Sequence, residues 1–204
     1  MPRGRYQQQQ WDAREAAILD ALETLSTERG FAQVTMDDLA DEVGISKATV
    51  YQHFASKDAM LVSLMQQHTQ QFMAWLDSTA DQPPIERLQQ TMHYLMEGHI
   101  TPMRGLINVG RDEIVPVFHN SPDLMASHAQ TLDRLIVIIQ QGQAAGTITP
   151  DLAPSVIVSA MWALSNVSMQ EYEPLQHDHA MPDQAVYMAQ MITMFERSIQ
   201  PKAG

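Results

Sequence analysis

Residues 35–61 read Thr-Met-Asp-Asp-Leu-Ala-Asp-Glu-Val-Gly-Ile-Ser-Lys-Ala-Thr-Val-Tyr-Gln-His-Phe-Ala-Ser-Lys-Asp-Ala-Met-Leu. Thr35 can accept from the orphan amides of a helix start, and Asp37 and Asp38 suit the positive end of that helix's dipole, so the stretch opens with a near capping box. Met36, Leu39, Ala40 and Val43 then recur at helical spacing and predict a buried stripe. Gly44 ends this helix, because glycine enters the left-handed conformation of a sharp C-cap without steric cost. Ser46 is a suitable N-cap for a short helix whose Val50 and Phe54 face inward. Ser56 caps the next one, with Asp58 in its first turn, running to about Asp77.

Two short helices, a glycine-containing turn and a second helix with a polar outer face make a helix-turn-helix. With Val50 and Phe54 inside, Lys47, Ala48, Thr49, Tyr51, Gln52 and His53 fall on or near the outward arc. Their chemistry suits DNA: Lys47 can donate to guanine, Gln52 can pair with an adenine edge, and the Ala48 methyl can meet a thymine methyl. Thr49, Tyr51 and His53 can donate to phosphates. Lys57 adds a cation beside the free amides of a helix start.

Taken in order, Thr35 to Phe54 followed by Ala55-Ser56-Lys57-Asp58-Ala59-Met60-Leu61 resembles the TetR family signature. With Gly30-Phe31 leading to Thr35, the resemblance covers about residues 12–62. It implies that Lys47, Ala48 and Gln52 face bases, while Thr35, Thr49, Tyr51, His53 and Lys57 hold the DNA backbone; Ser46, at the start of the reading helix, is the remaining candidate DNA-binding residue. Ala48 stands where many members of that family have glycine.

A formal net charge of -12, from 12 basic and 24 acidic residues, opposes DNA binding at first sight. Charge beyond a Debye length of about 8 Å is screened, however, so local placement decides. From Val43 to Lys57 there are two lysines, one histidine and no acid. Arg3 and Arg5 add cations on a polar N-terminal tail that either enters a minor groove or is solvated.

The rest of the chain is helical in pattern, and no alternating strand pattern with hairpin signals occurs. A first helix over 11–29 carries Trp11, Ile18, Leu22 and Leu25 and stops at Arg29-Gly30. The glutamines at 7–10 read as a disordered or frayed extension of it. Beyond the Asp81-Gln-Pro-Pro84 break, helices are predicted near 85–99, 103–118, 122–144, 151–172 and 183–199, nine in all. The expected class is all-α, with a helix-turn-helix domain at 1–58, whose fourth helix continues as a connector to about 77, and a larger ligand-sensing and dimerisation domain at 59–204.

The last two helices carry the stripes Val156, Ala160, Leu164, Val167 and Met188, Met191, Ile192, Phe195, Ile199, which predict a homodimer interface of paired helices. Met92, His93, Met96, His99, Met161 and Trp162 are candidates for lining an apolar effector pocket, methionine adapting readily to irregular ligands. Arg104, Asn108 and Arg111 are candidates for a polar anchor. His93 with Glu97, and His177-Asp178-His179, have spacings that suit a metal, which leaves a metal-responsive regulator as an alternative.

An 18% charged, 45% apolar composition lies in the globular range. No cysteine is present, which removes disulfides and thiolate sites. There is no glycine-rich phosphate loop and no nucleophile elbow, so an enzyme is not expected, nor is a cofactor. No apolar run approaches the roughly 18 residues of a membrane span, and the N-terminus has no signal-peptide core, so the expected location is cytoplasmic. The expected function is a ligand-responsive regulator, a repressor, binding palindromic operator DNA as a homodimer and released by a small apolar or amphipathic effector. A helical protein-binding adaptor is the remaining alternative.

Overall fold

The computed structural model describes residues 4–97, 111–165 and 183–201. Among them nine α-helices occur and no strand: α1 (Arg5–Arg29), α2 (Met36–Val43), α3 (Lys47–His53), α4 (Lys57–Ser78), α5 (Pro84–Glu97), α6 (Arg111–His119), α7 (Pro122–Ala144), α8 (Pro154–Ser165) and α9 (Gln184–Ile199). A single 3-10 turn, Phe31–Gln33, joins α1 to α2. The all-α class is as the periodicity predicts, and no described helix is long and apolar enough to cross a membrane.

Helix α1 begins at Arg5 rather than near residue 11, so the glutamine run is helical. Contacts four residues apart account for this: the Gln10 amide donates to Tyr6 Oη (2.8 Å), Gln8 to Asp12 (2.7 Å) and the Trp11 indole to Glu15 (2.6 Å). Each links successive turns, and glutamine itself is a good helix former. At the other end of the chain α8 begins at Pro154, not at residue 151. Proline suits the first helical position, where no amide is needed. The Gln143 amide meanwhile holds the carbonyls of Thr149 and Leu152 (2.9 and 2.8 Å), keeping the preceding residues out of the helix.

The described residues pack as two units. The first comprises residues 4–68 and 111–125. Its core joins Ile18, Leu22 and Leu25 of α1 to Leu39 of α2, Val50 of α3, and Met60, Leu61 and Leu64 of α4, with Val117 of α6 also buried. Helices α2 and α3 have eight and seven residues, below the length at which isolated helices persist in water, so this core is what keeps them helical. At the far end of α1, the buried His68 ring lies 2.9 Å from the Glu23 carboxylate.

The second unit comprises residues 69–97, 126–165 and 183–201. Phe72 and Leu76 of α4 meet Leu88 and Met92 of α5, Leu135, Ile138 and Ile139 of α7, Ile157 and Met161 of α8, and Ile192 and Phe195 of α9. Arg87 closes the C-terminal turn of α4 by donating to Leu76 O (3.1 Å) and Thr79 Oγ1 (3.2 Å). Arg134 of α7 pairs with Asp77 beside it. At Gly142 a Cβ would collide with the side chain of the buried Ile148, so glycine there is a packing requirement.

Candidate nucleic-acid interface

Caps fix the geometry of α2 and α3. The Thr35 hydroxyl accepts from Asp38 N (3.2 Å), while the Asp38 carboxylate accepts from Thr35 N (2.8 Å) and Thr35 Oγ1 (2.6 Å), completing the capping box. Arg29 pairs with the second Asp38 oxygen at 2.9 Å, tying the end of α1 to the start of α2. The Thr35 hydrogen bonds, with Arg29 behind them, hold the Asp38 carboxyl below its ordinary value of 3.8. A depressed pKa contributes stability that is present above the unfolded value and lost as pH falls through the folded one. Loss of the N-cap in Thr35→Ala is expected to cost about 1 kcal/mol; separately, without the Thr35 hydroxyl the acid dependence from Asp38 should weaken, as thermal melts at pH 7 and pH 3 would show.

At the other end of α2, Gly44 adopts φ 71° and ψ 36°, and its amide returns to the carbonyls of Ala40 and Asp41. Ser46 then caps α3 by accepting from Thr49 N (3.1 Å), and its hydroxyl also meets Thr49 Oγ1 (2.8 Å). Buried Val50 and Phe54 hold the inner side of this segment. Ser46, Lys47, Ala48, Tyr51 and Gln52 are exposed and Thr49 is half-buried, so six of the proposed DNA-facing residues form one outward surface. Lys47 Nζ lies 2.6 Å from Asp37 Oδ2, a contact that raises the ammonium's pKa.

Two residues expected to hold the DNA backbone are placed otherwise. The His53 side chain has no solvent exposure. Its ring packs 3.7 Å, centroid to centroid, from Trp11, Nδ1 lies 3.4 Å from Glu15 Oε1, and the buried Nε2 has no hydrogen-bond partner among the described residues. His53 comes three residues after Val50, on the flank of the buried side, and Trp11 and Glu15 of α1 cover that flank. This corrects its assignment to the outward arc. Lys57 is half-buried. Its ammonium donates to Phe31 O (2.8 Å) and lies 4.5 Å from the centre of the Phe31 ring, so it braces the α1–α2 connection where a phosphate contact was expected. Arg5 opens α1 and is exposed, whereas Arg3 lies outside the described residues.

Residues missed by the sequence reading are Asp37, as the partner of Lys47, and Trp11 and Glu15, as the seat of His53. The position of Trp11, ahead of the buried α1 stripe, was the available signal.

The expected effector residues divide. Met92, Met96 and Met161 are buried in the second core, and Trp162 packs half-buried against it, its ring 6.0 Å from that of His128. Burial pushes the His128 imidazole below its ordinary value; His128 is a further residue the sequence reading missed. His93 does not join this group. Adjacent to Met92 but a hundred degrees round the helix, it is exposed and lies 3.8 Å from Glu196 of α9. His99, Arg104, Asn108, His177 and His179 lie outside the described residues, as do the side chains of Glu97 and Arg111. Among the described residues no three His, Asp or Glu side chains group as a metal site would require.

The α9 stripe also needs correction. Ile192, Phe195 and Ile199 are buried in this chain's own core, so these three serve that core, while Met188 and Met191 are half-buried against it. What α9 exposes is Val186 and Met194. On α8, Val156 and Ala160 are exposed and Leu164 is half-buried, while Val167 is outside the described residues.

Residues 18–64 match the model of bacterial regulatory proteins of the tetR family. The HTH-type transcriptional regulator EthR of Mycobacterium tuberculosis is 39% identical over 84 residues, covering 41% of this chain and 39% of EthR. The chain thus spans about two-fifths of the length of that relative. The HTH-type transcriptional repressor KstR2 of the same organism is 28% identical over 178 residues, covering 81% of this chain and 84% of KstR2. The solved structure of the ketosteroid transcriptional regulator KstR2 aligns with a TM-score of 0.70 at 23% identity, over 93% of this chain and 96% of that one. AibR, solved with isovaleryl coenzyme A and operator DNA, aligns at 0.64 with 19% identity, over 89% and 97%. At these identities the structural likeness is one of fold.

Proposed function

We propose that this chain is a transcriptional regulator of the TetR type, to which residues 18–64 are similar, and that it represses transcription by binding a palindromic operator as a homodimer and leaves it when an effector binds the second helical unit. The observation that carries the reading is the outward surface of α3: Lys47, Ala48, Tyr51 and Gln52, exposed on a helix capped at Ser46 and anchored through Val50. A rigid recognition helix presenting donors, an amide and a methyl is what major-groove readout needs. Lys47 and Gln52 read bases, with Ala48 against a methyl group, while Thr35, Ser46, Thr49 and Tyr51 hold the backbone.

Support for a dimer comes from the exposed apolar side chains Val156 on α8 and Val186 and Met194 on α9. Two recognition helices about one DNA turn apart supply the affinity one cannot. The effector would be apolar or amphipathic and sit among Met92, Met96, Met161 and Trp162, with His128 as the adjoining polar group. KstR2 is named for ketosteroids, and AibR was solved with an acyl-coenzyme A, chemistries that such an apolar lining suits. An effector with different affinities for the free and DNA-bound conformations shifts the equilibrium between them, typically by about 1–3 kcal/mol.

Selection of duplexes from a randomised library by the full chain, followed by gel shift, tests the reading. A preferred sequence with two-fold symmetry is expected, and retention of no duplex by the folded protein would overturn it. Lys47→Ala is expected to reduce the preference for the selected over a shuffled duplex by roughly tenfold or more. An unchanged preference would remove Lys47 from the readers.

A further inference from the structure

We propose that Asp37 is a specificity-determining residue, which pairs with Lys47 so that the ammonium keeps hydrogen bonds for a base edge while its attraction for phosphate on any sequence is cancelled. The inference rests on the DNA-binding reading above.

Asp37 stands in the first turn of α2, and Lys47 opens α3. Their atoms meet at 2.6 Å, although the two residues are ten apart in sequence. The helix start does not need the Asp37 carboxylate, because Asp38 fills the capping box. Both side chains are exposed, Lys47 at 49% and Asp37 at 64%, so the pair sits on the outward surface and not in the core.

An ammonium has three donors, and the O6 and N7 edge of guanine takes two. Lys47 can therefore remain bound to Asp37 and still read a guanine. Phosphate binding is different, since it depends on net charge and counterion release. In helix-turn-helix docking the first helix crosses the DNA backbone and the N-terminal residues of the second reach the bases. A carboxylate on the first turn of α2 thus meets the phosphates, and beside it Lys47 contributes little net positive charge to a non-specific encounter. An exposed ion pair is itself weak. The consequence is discrimination: affinity for arbitrary DNA falls more than affinity for a site that offers Lys47 a base edge.

The test compares wild type with Asp37→Asn by fluorescence anisotropy, using the full chain, the selected duplex and a shuffled duplex of equal length, across a series of potassium chloride concentrations. Removing the carboxylate is expected to tighten the shuffled duplex about tenfold and steepen its log–log salt slope by about one per chain, about two for the proposed dimer. The selected duplex should change by less than about threefold. In a Lys47→Ala background the effect of Asp37→Asn on the shuffled duplex should shrink to less than about half, as coupled neighbours require. Asp37→Ser should reproduce the pattern, which separates charge from amide chemistry. Equal tightening of both duplexes, or an unmoved shuffled affinity, overturns the proposal and leaves the regulator reading standing. Retention of no duplex by folded wild-type protein overturns both.

Discussion

Leu39→Ala is expected to destabilise the first unit by about 3–5 kcal/mol and to abolish retention of the selected duplex at temperatures where the wild type binds. Leu39 is fully buried among residues from α1, α3 and α4, and truncation both loses transfer free energy and leaves a cavity that rigid neighbours refill poorly. Small domains have about 5–15 kcal/mol in total. The DNA-facing side chains do not change, so loss of binding would come from the seating of α3: eight- and seven-residue helices hold their angle only through the core beneath them. Urea unfolding and gel shift on the same preparation check this. A loss below about 1 kcal/mol with binding intact would show that caps alone position α3.

What could be read from sequence, and what could not, follows the range of the interactions involved. Thr35, Gly44 and Ser46 act on backbone groups within four residues, so the boundaries of α2 and α3 were legible from local chemistry. The packing of His53 and the brace made by Lys57 were not legible because their partners, Trp11 with Glu15 and the Phe31 carbonyl, lie far upstream. Helical spacing left His53 on or near the outward arc but could not say that Trp11 and Glu15 of α1 pack over it. Lys57 obeyed a sound rule, a cation near free amides, yet a neighbouring carbonyl and an aromatic face were nearer. The start of α8 was legible in principle, since Pro154 signals a first helical position.

A deeper ambiguity surrounds the apolar stripes. Periodicity shows that one side of a helix is to be buried without showing by what. On α9 the stripe ending in Phe195 and Ile199 is covered by this chain's own α5, α7 and α8, which form the same core. The less conspicuous Val186 and Met194 are the ones left exposed. The same logic governs the net charge. A chain at -12 offers DNA an attractive surface only where acids are absent or paired, and Asp37 is an acid paired with Lys47.

The exposed α8 and α9 residues give the second large effect. Val156→Asp with Met194→Asp is expected to turn the proposed dimer into a monomer and to weaken binding to the selected two-fold duplex by about 100-fold or more. In an interface with two-fold symmetry each substitution occurs twice, so the pair brings four carboxylates into one apolar contact. Burying an unpaired charge costs several kcal/mol, far beyond what one interface of two small helices offsets. In the single chain Val156 and Met194 are 52% and 51% exposed, so helical content should persist, and circular dichroism separates dissociation from unfolding. Light scattering should show the mass of one chain, and the salt slope for DNA should fall towards that of one half-site as the second set of phosphate contacts is lost. A variant that stays dimeric with both charges in place would move the interface elsewhere on the molecule. A monomer with undiminished affinity for the palindrome would mean that one recognition helix suffices, and with it the need for paired half-sites would disappear.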